Sequence, residues 1–205
     1  MDIRQTLLII PGIIIGFAFH EYAHAQVAVW LGDHTPQDEG RLSLNPGVHI
    51  DPFGFLFILL AGFGWAKPVH INENNFKNPK RDDILVSLAG PAMNLLIAIF
   101  FLTIMKITPA TLLGNFYNTF MEVFDYTVWI NVVLFVFNLL PIPPLDGSHI
   151  LFGILGMKDK PIYYEIASKG RFILALLIIT NMIDKIMGPP IQMVYQQLLS
   201  IFLFI

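Results

Sequence analysis

The chain has 205 residues, of which 55% are hydrophobic and 13% charged, with a mean hydropathy of +0.65. Soluble domains carry about 25% charged residues, so this composition describes a polytopic membrane protein and leaves no room for a large soluble domain beside its spans. The net charge of −3 gives no sign of nucleic-acid binding, and the absence of cysteine rules out disulfides and thiolate metal sites.

Residues 1–8 contain Asp2 and Arg4 but neither a basic run nor a small-residue cleavage site. They read as the start of a retained helix, not a removed signal peptide. Residues 6–31 form the first predicted span, Ile-rich up to Gly16. Residues 32–51 are polar, with turn-forming Gly-Asp, Thr-Pro and Asn-Pro pairs. Residues 53–63 are apolar but short. A helix of that length extends roughly 17 Å at about 1.5 Å per residue, against a hydrocarbon core of about 30 Å. This predicts a re-entrant or interfacial segment. Gly62-Phe63-Gly64-Trp65-Ala66-Lys67-Pro68-Val69 reads as extended, and residues 67–83 as a basic loop rich in Asn and Pro.

Residues 84–107 form a second span, with Gly90, Pro91 and Asn94 near its start suited to close packing and a polar contact between spans. Residues 108–126 read as a mixed connection. Residues 127–155 hold a third span, broken by Pro141, Pro143 and Pro144. Such a break exposes backbone, which at membrane depth is tolerated only under protein or beside a wet cavity. Two more apolar segments, residues 172–187 and 191–205, are separated by Gly188-Pro189-Pro190. The expected fold is an all-α polytopic membrane protein. Three transmembrane helices form its core, with a re-entrant or extended membrane-associated segment and one or two further C-terminal helices. It reads as one domain over residues 1–205, with a core at about 6–155 and accessory helices at about 171–205.

Lys67, Lys77, Lys80 and Arg81 precede the second span, and Lys158, Lys160, Lys169 and Arg171 follow the third. Only Lys106 borders the connection between those spans. The positive-inside rule then puts both basic loops in the cytoplasm and residues 108–126 outside.

The chemistry concentrates in two places. His20-Glu21-x-x-His24 puts two imidazoles four residues apart on one helix face, able to share a zinc ion, with a glutamate beside them that can serve as general base. Ionisable groups are expensive inside a bilayer and usually mark function. Two ligands leave a catalytic zinc incomplete, since such sites use three and keep a position open. Asp146 is the remaining candidate: a carboxylate in a hydrophobic stretch with no nearby Lys or Arg, which must either protonate or bind a cation. Gly147 lets the backbone turn beside it. Asn138, about two turns earlier, could aim its amide at the oxyanion of a tetrahedral intermediate, or simply satisfy carbonyls freed by the prolines.

His20-Glu21-x-x-His24 together with Asn138-x-x-Pro141-x-Pro143-x-x-Asp146-Gly147 resembles the site-2 protease family of intramembrane zinc metalloproteases. The stretches Gly40-Arg41-Leu42-Ser43-Leu44-Asn45-Pro46, His49-Ile50-Asp51-Pro52 and Ala89-Gly90-Pro91 with Asn94 are similar to a short bacterial-type subgroup without a PDZ domain. The resemblance covers residues 13–155. It implies one zinc per chain held by His20, His24 and Asp146, with Glu21 as catalytic acid/base and Asn138 assisting the scissile carbonyl. It also implies a single-pass transmembrane protein or peptide as substrate, cut in or near its membrane segment, and a place in a bacterial cell membrane; with both basic loops in the cytoplasm, the active site is expected nearer the cytoplasmic side.

Two rival readings are a membrane metal-ion transporter and a catalytically silent scaffold of the same fold. A transporter is expected to show ligands strung along a path, whereas here they form one set. A silent scaffold has no need of Glu21. His49 and Asp51 lie in the turn-rich loop, where they could line an entrance or face solvent. His149 reads as a local hydrogen-bonding residue, and His34 and His70 as loop residues.

Overall fold

The computed structural model describes residues 3–61, 63–158 and 160–203. Residues 1 and 2, Gly62 of the extended motif, Asp159, and residues 204 and 205 of the last predicted apolar segment lie outside the described residues. In chain order the α-helices are α1 (Ile3–Trp30), α2 (Thr35–Asp38), α3 (Pro46–His49), α4 (Pro52–Ala61), α5 (Pro79–Ile107), α6 (Ala110–Leu113), α7 (Tyr117–Asn138), α8 (Asp146–Ile154), α9 (Pro161–Ile179) and α10 (Met182–Leu203). There is no β-strand among the described residues; one antiparallel bridge joins Ile50 to Ala66.

Three helical stretches, within α1, within α5 and from α6 through α7, are long and apolar enough to cross a membrane. At about 1.5 Å per residue, the 29 residues of α5 reach well beyond a hydrocarbon core of about 30 Å. The ten residues of α4 cover only about half of it. The short apolar segment is therefore not among the helices long enough to cross a membrane. α5 starts where the sequence supplies a start: Pro79 fixes the first helical φ, and Asp82 Oδ2 reaches back to accept from the Asn78 N–H at 3.0 Å.

α1, α5 and α7 pack against one another pairwise, α8 lies on α5, and α10 covers α5 and α7. Ala98 and Leu102 of α5, Val128, Val132 and Val136 of α7, and Ile191 and Leu198 of α10 share one buried cluster. Glycine sets how closely α1 approaches α7: a Cβ on Gly12 would sit 2.8 Å from Thr127 Cα, and one on Gly16 3.0 Å from Asn131 Oδ1. Residues 139–145 leave the helical path, and a Cβ on Gly147 would fall 2.6 Å from the Leu140 carbonyl oxygen.

Several boundaries differ from the sequence expectation, α5 and α9 starting earlier, at Pro79 and Pro161, and two differences bear on packing. Residues 108–126 are not a mixed connection throughout, because α7 begins at Tyr117. The acidic side chains of this stretch have partners on other helices. Glu122 pairs with Arg4, and Asp125 accepts from the Tyr195 hydroxyl. The C-terminal break falls at Thr180–Asn181, where Asn181 takes φ +54°, and the two helices meet at 83°. Pro189 and Pro190 lie inside α10 instead. Met187 and Ile191, one turn apart across the prolines, are both anchored in the core, so packing carries the helix through the two missing N–H donors.

Candidate metal centre

The second half of α1 brings His20, Glu21 and His24 into the three-helix core, where each is less than one-tenth exposed. The two imidazoles meet nearly edge to face, with their Nε2 atoms 3.0 Å apart. α5 backs both rings. His24 Nδ1 lies 2.7 Å from the Val86 carbonyl oxygen, and His20 Nδ1 lies 2.7 Å from Asn94 Oδ1. A carbonyl only accepts, so each Nδ1 carries its hydrogen and, in the neutral imidazole that binds a metal, each Nε2 presents a lone pair. Two facing lone pairs at this distance repel unless something positive lies between them.

Asp146, at the start of α8, supplies a third acceptor. Its Oδ2 lies 3.3 Å from His20 Nε2 and 3.4 Å from His24 Nε2, is buried, and has no hydrogen-bond partner among the described residues. The three ligand atoms lie within 4.8 Å of one another. Two nitrogens on one tetrahedral zinc are separated by about 3.3 Å. Two imidazole lone pairs and an orphaned carboxylate oxygen converging on one point are a donor set that fits zinc. Gly90 of α5 keeps the space clear, since a Cβ there would lie 2.5 Å from His20 Cε1 and 2.6 Å from its Nε2.

Glu21 reaches the other way. Its Oε2 accepts from the backbone N–H of Val69 at 2.9 Å. Val69 ends the extended segment, which is held by the Ile50–Ala66 bridge, by the Lys67 N–H donating to the His49 carbonyl at 2.8 Å, and by Arg41, whose guanidinium donates to the Val48 and Lys67 carbonyls. Asn138, the last residue of α7, donates its amide to the Leu134 carbonyl at 3.0 Å and is not one of the three converging groups.

The other histidines and Asp51 divide differently. His49 is fully buried, not at the surface, and donates from Nε2 to the Ser43 carbonyl at 2.6 Å. Asp51 accepts from the Gly54 N–H at 2.7 Å at the start of α4. His149 faces Asp83 at 3.4 Å. Glu73, Asp83 and His149 form a second cluster of potential ligands, but the Lys158 ammonium already sits on Asp83 and Glu73. Burial works against charging Lys158, yet the carboxylate of Asp83 outweighs it and raises the affinity of Lys158 for its proton. His34 bonds Gln37 at 3.2 Å and His70 bonds Glu39 at 3.1 Å, both at the surface.

Sequence reasoning expected of Asn94 a polar contact between spans, which it makes, but missed its partner Asn131 and the bond to His20. Asn94 and Asn131 are fully buried and bonded to each other at 3.0 Å. The available signal was an uncharged polar residue at mid-span in both α5 and α7, which asks for a partner of the same kind.

With this geometry in view, the comparisons with known proteins are specific. The model of peptidase family M50 matches residues 106–181, a stretch containing Asn138 and Asp146. YwhC of Bacillus subtilis, named a "putative zinc metalloprotease", is 39% identical over 195 residues, covering 93% of this chain and 88% of its own. Rip2 of Mycolicibacterium smegmatis, named likewise, is 30% identical over 186 residues, covering 87% of this chain and 69% of its own. No solved structure matches the chain. An all-helical membrane protein with two histidines and an aspartate converging inside its core belongs, on these matches, to peptidase family M50, the site-2 protease family of zinc metalloproteases.

Proposed function

We propose that this protein is an intramembrane protease that hydrolyses peptide bonds in or near the transmembrane segment of single-pass substrates, using one zinc ion held by His20, His24 and Asp146. The observation that carries the reading is the convergence of two imidazole lone pairs and an unpartnered carboxylate oxygen inside the three-helix core, with Glu21 next in sequence.

Bound zinc would supply Lewis-acid polarisation of the scissile carbonyl and a water of lowered pKa. Glu21 takes the proton of the attacking water and delivers it to the leaving amine. The Val69 N–H holds the Glu21 carboxylate in place between those two acts. Asn138 spends one amide hydrogen on Leu134, and the second serves the oxygen of the scissile carbonyl as charge develops there. A substrate helix must unwind first, because its own side chains shield each peptide bond. The site opens toward the cytoplasmic side on this reading. Lys158 joins Glu73 and Asp83, so the basic loop after α8 and the basic loop before α5 lie at the same end of the bundle.

The test is zinc content together with cleavage of a transmembrane substrate in detergent or liposomes. Glu21→Gln keeps stoichiometric zinc and loses on the order of 100-fold or more in turnover. Asp146→Ala loses both zinc and activity. Turnover of Glu21→Gln within about tenfold of wild type overturns the assignment of the base, and stoichiometric zinc on Asp146→Ala overturns the ligand set.

A further inference from the structure

We infer that Asn131 is a positioning residue that, acting through Asn94 together with the Gly16 carbonyl, sets which nitrogen of His20 carries the proton. The consequence for zinc rests on the proposed ligand role of His20; the tautomer itself does not.

The direction of every link is fixed by backbone carbonyls, which only accept. Asn131 Nδ2 lies 2.8 Å from the Thr127 carbonyl oxygen and 3.4 Å from that of Gly12, so the amide nitrogen faces them and Oδ1 faces Asn94. The Asn94 group opposite that oxygen, at 3.0 Å, must donate, and it also lies 3.1 Å from the Gly16 carbonyl. Asn94 Oδ1 is thereby turned to His20 Nδ1 at 2.7 Å and must accept. Reversing either amide would set oxygen against carbonyl oxygen. Both asparagines are fully buried, so no solvent competes for these groups. One carbonyl on α7 and two on α1 are thus relayed through α5 to a single ring nitrogen.

The other tautomer of His20 shows why this matters. With its hydrogen on Nε2, His20 would donate across the 3.0 Å gap to His24 Nε2. The pair would then satisfy itself and offer no converging lone pairs to a cation. His24 needs no such relay, because the Val86 carbonyl fixes it directly. Asn131 and Asn94 keep the histidine pair open to a metal.

The experiment is nitrogen NMR of full-length protein labelled at histidine, at neutral pH, zinc-loaded and after chelation. His20 is assigned by difference against His20→Gln, and zinc affinity is read by chelator competition. Wild-type His20 after chelation should be protonated on Nδ1 alone; protonation on Nε2 overturns the inference without any variant. Asn131→Ala should show a mixed tautomer population and weaken zinc binding about 10- to 100-fold. Asn131→Asp, neutral at this depth, still accepts from Asn94 and donates to Thr127, and should restore both readouts. An unchanged tautomer and affinity in Asn131→Ala, or equal loss in the alanine and aspartate variants, overturns it. Wild-type zinc affinity in His20→Gln defeats the ligand assignment instead, and the tautomer result still decides the role of Asn131.

Discussion

The Glu21 carboxylate accepts a hydrogen bond of 2.9 Å from the backbone N–H of Val69, forty-eight residues away in sequence. It ties the extended segment to the proposed base. In extended chain, alternate residues turn their N–H groups to the same edge. Lys67 and Val69 use that edge inward, one toward His49 and the other toward Glu21. Because Lys67 N–H, and not Ala66, bonds across the Ile50–Ala66 bridge, the N–H and C=O of Ala66 face the opposite edge. The segment thus holds Glu21 with one edge, while the N–H and C=O of Ala66 lie on the other.

Removing the Val69 donor should therefore reach catalysis without touching the histidines or Asp146. Val69→Pro deletes the N–H, and we expect cleavage to fall roughly 10- to 100-fold with zinc retained. Val69→Ala keeps the N–H and should stay close to wild type. Equal activity of the two variants would show that the contact does not orient Glu21.

Gly90 makes a second prediction, with metal as its readout. Alanine is preferred to glycine inside a helix by about 1 kcal/mol, so α5 itself does not suffer from Gly90→Ala. The added Cβ falls 2.6 Å from His20 Nε2 and must displace the ring. Zinc affinity by chelator competition should drop about 100-fold or more in a protein that still purifies as a folded monodisperse species. Wild-type affinity would mean the ring tolerates the methyl and that the histidines are not held as rigidly as their Nδ1 bonds imply.

How far the sequence carries can be judged from these same residues. The spans were legible because long apolar runs have few alternatives, and the histidine pair because a spacing of four is a local property of a helix. Asp146 was legible as an unpaired carboxylate among prolines. The start of α7 was not: Glu122 and Asp125 look like loop residues until Arg4 and Tyr195, distant in sequence, satisfy them. Nor was the break at Asn181, since Gly188-Pro189-Pro190 is the stronger local signal and only packing of Met187 and Ile191 overrides it. The Asn94–Asn131 relay and the Lys158–Asp83 pair are tertiary facts with no local periodicity to announce them.

His49 gives a pH prediction. Burial pushes its imidazole below the usual 6.5; Arg41 adds to this, while the Ser43 carbonyl and Glu21 oppose it. The unfolded chain then binds a proton that the folded chain refuses. Stability is full above pH 6.5 and falls as the pH drops through and below that value. Thermal unfolding in detergent should show a loss from pH 8 to pH 5, and His49→Gln should flatten it. A slope unchanged by His49→Gln would assign the acid sensitivity to other groups.

The last prediction concerns how the loop between the first two spans sits in the membrane. Asp33, just past the end of α1, accepts from the Thr35 N–H and hydroxyl at 3.1 and 2.6 Å, from the Asn72 N–H at 2.8 Å and from Asn75 Nδ2 at 2.7 Å. It thereby clamps the end of α1 to the chain that leads into α5. Both ends of the connection are on one face of the bundle, and the ten residues of α4 are too few to carry the chain across and back. The chain contains no cysteine, so single cysteines report position without a background. Leu44→Cys and Asn74→Cys, both at exposed positions, should react with an impermeant thiol reagent from the same side, and Asn118→Cys, at the start of α7, from the other. With the basic loops in the cytoplasm, the first two label only in inverted vesicles and the third in intact cells. Labelling of Leu44→Cys and Asn74→Cys from opposite sides would make residues 53–61 part of a true span and break the clamp at Asp33. Labelling of the pair from outside would keep the fold and invert the protein, putting the loop between the first two spans on the outer face of the membrane.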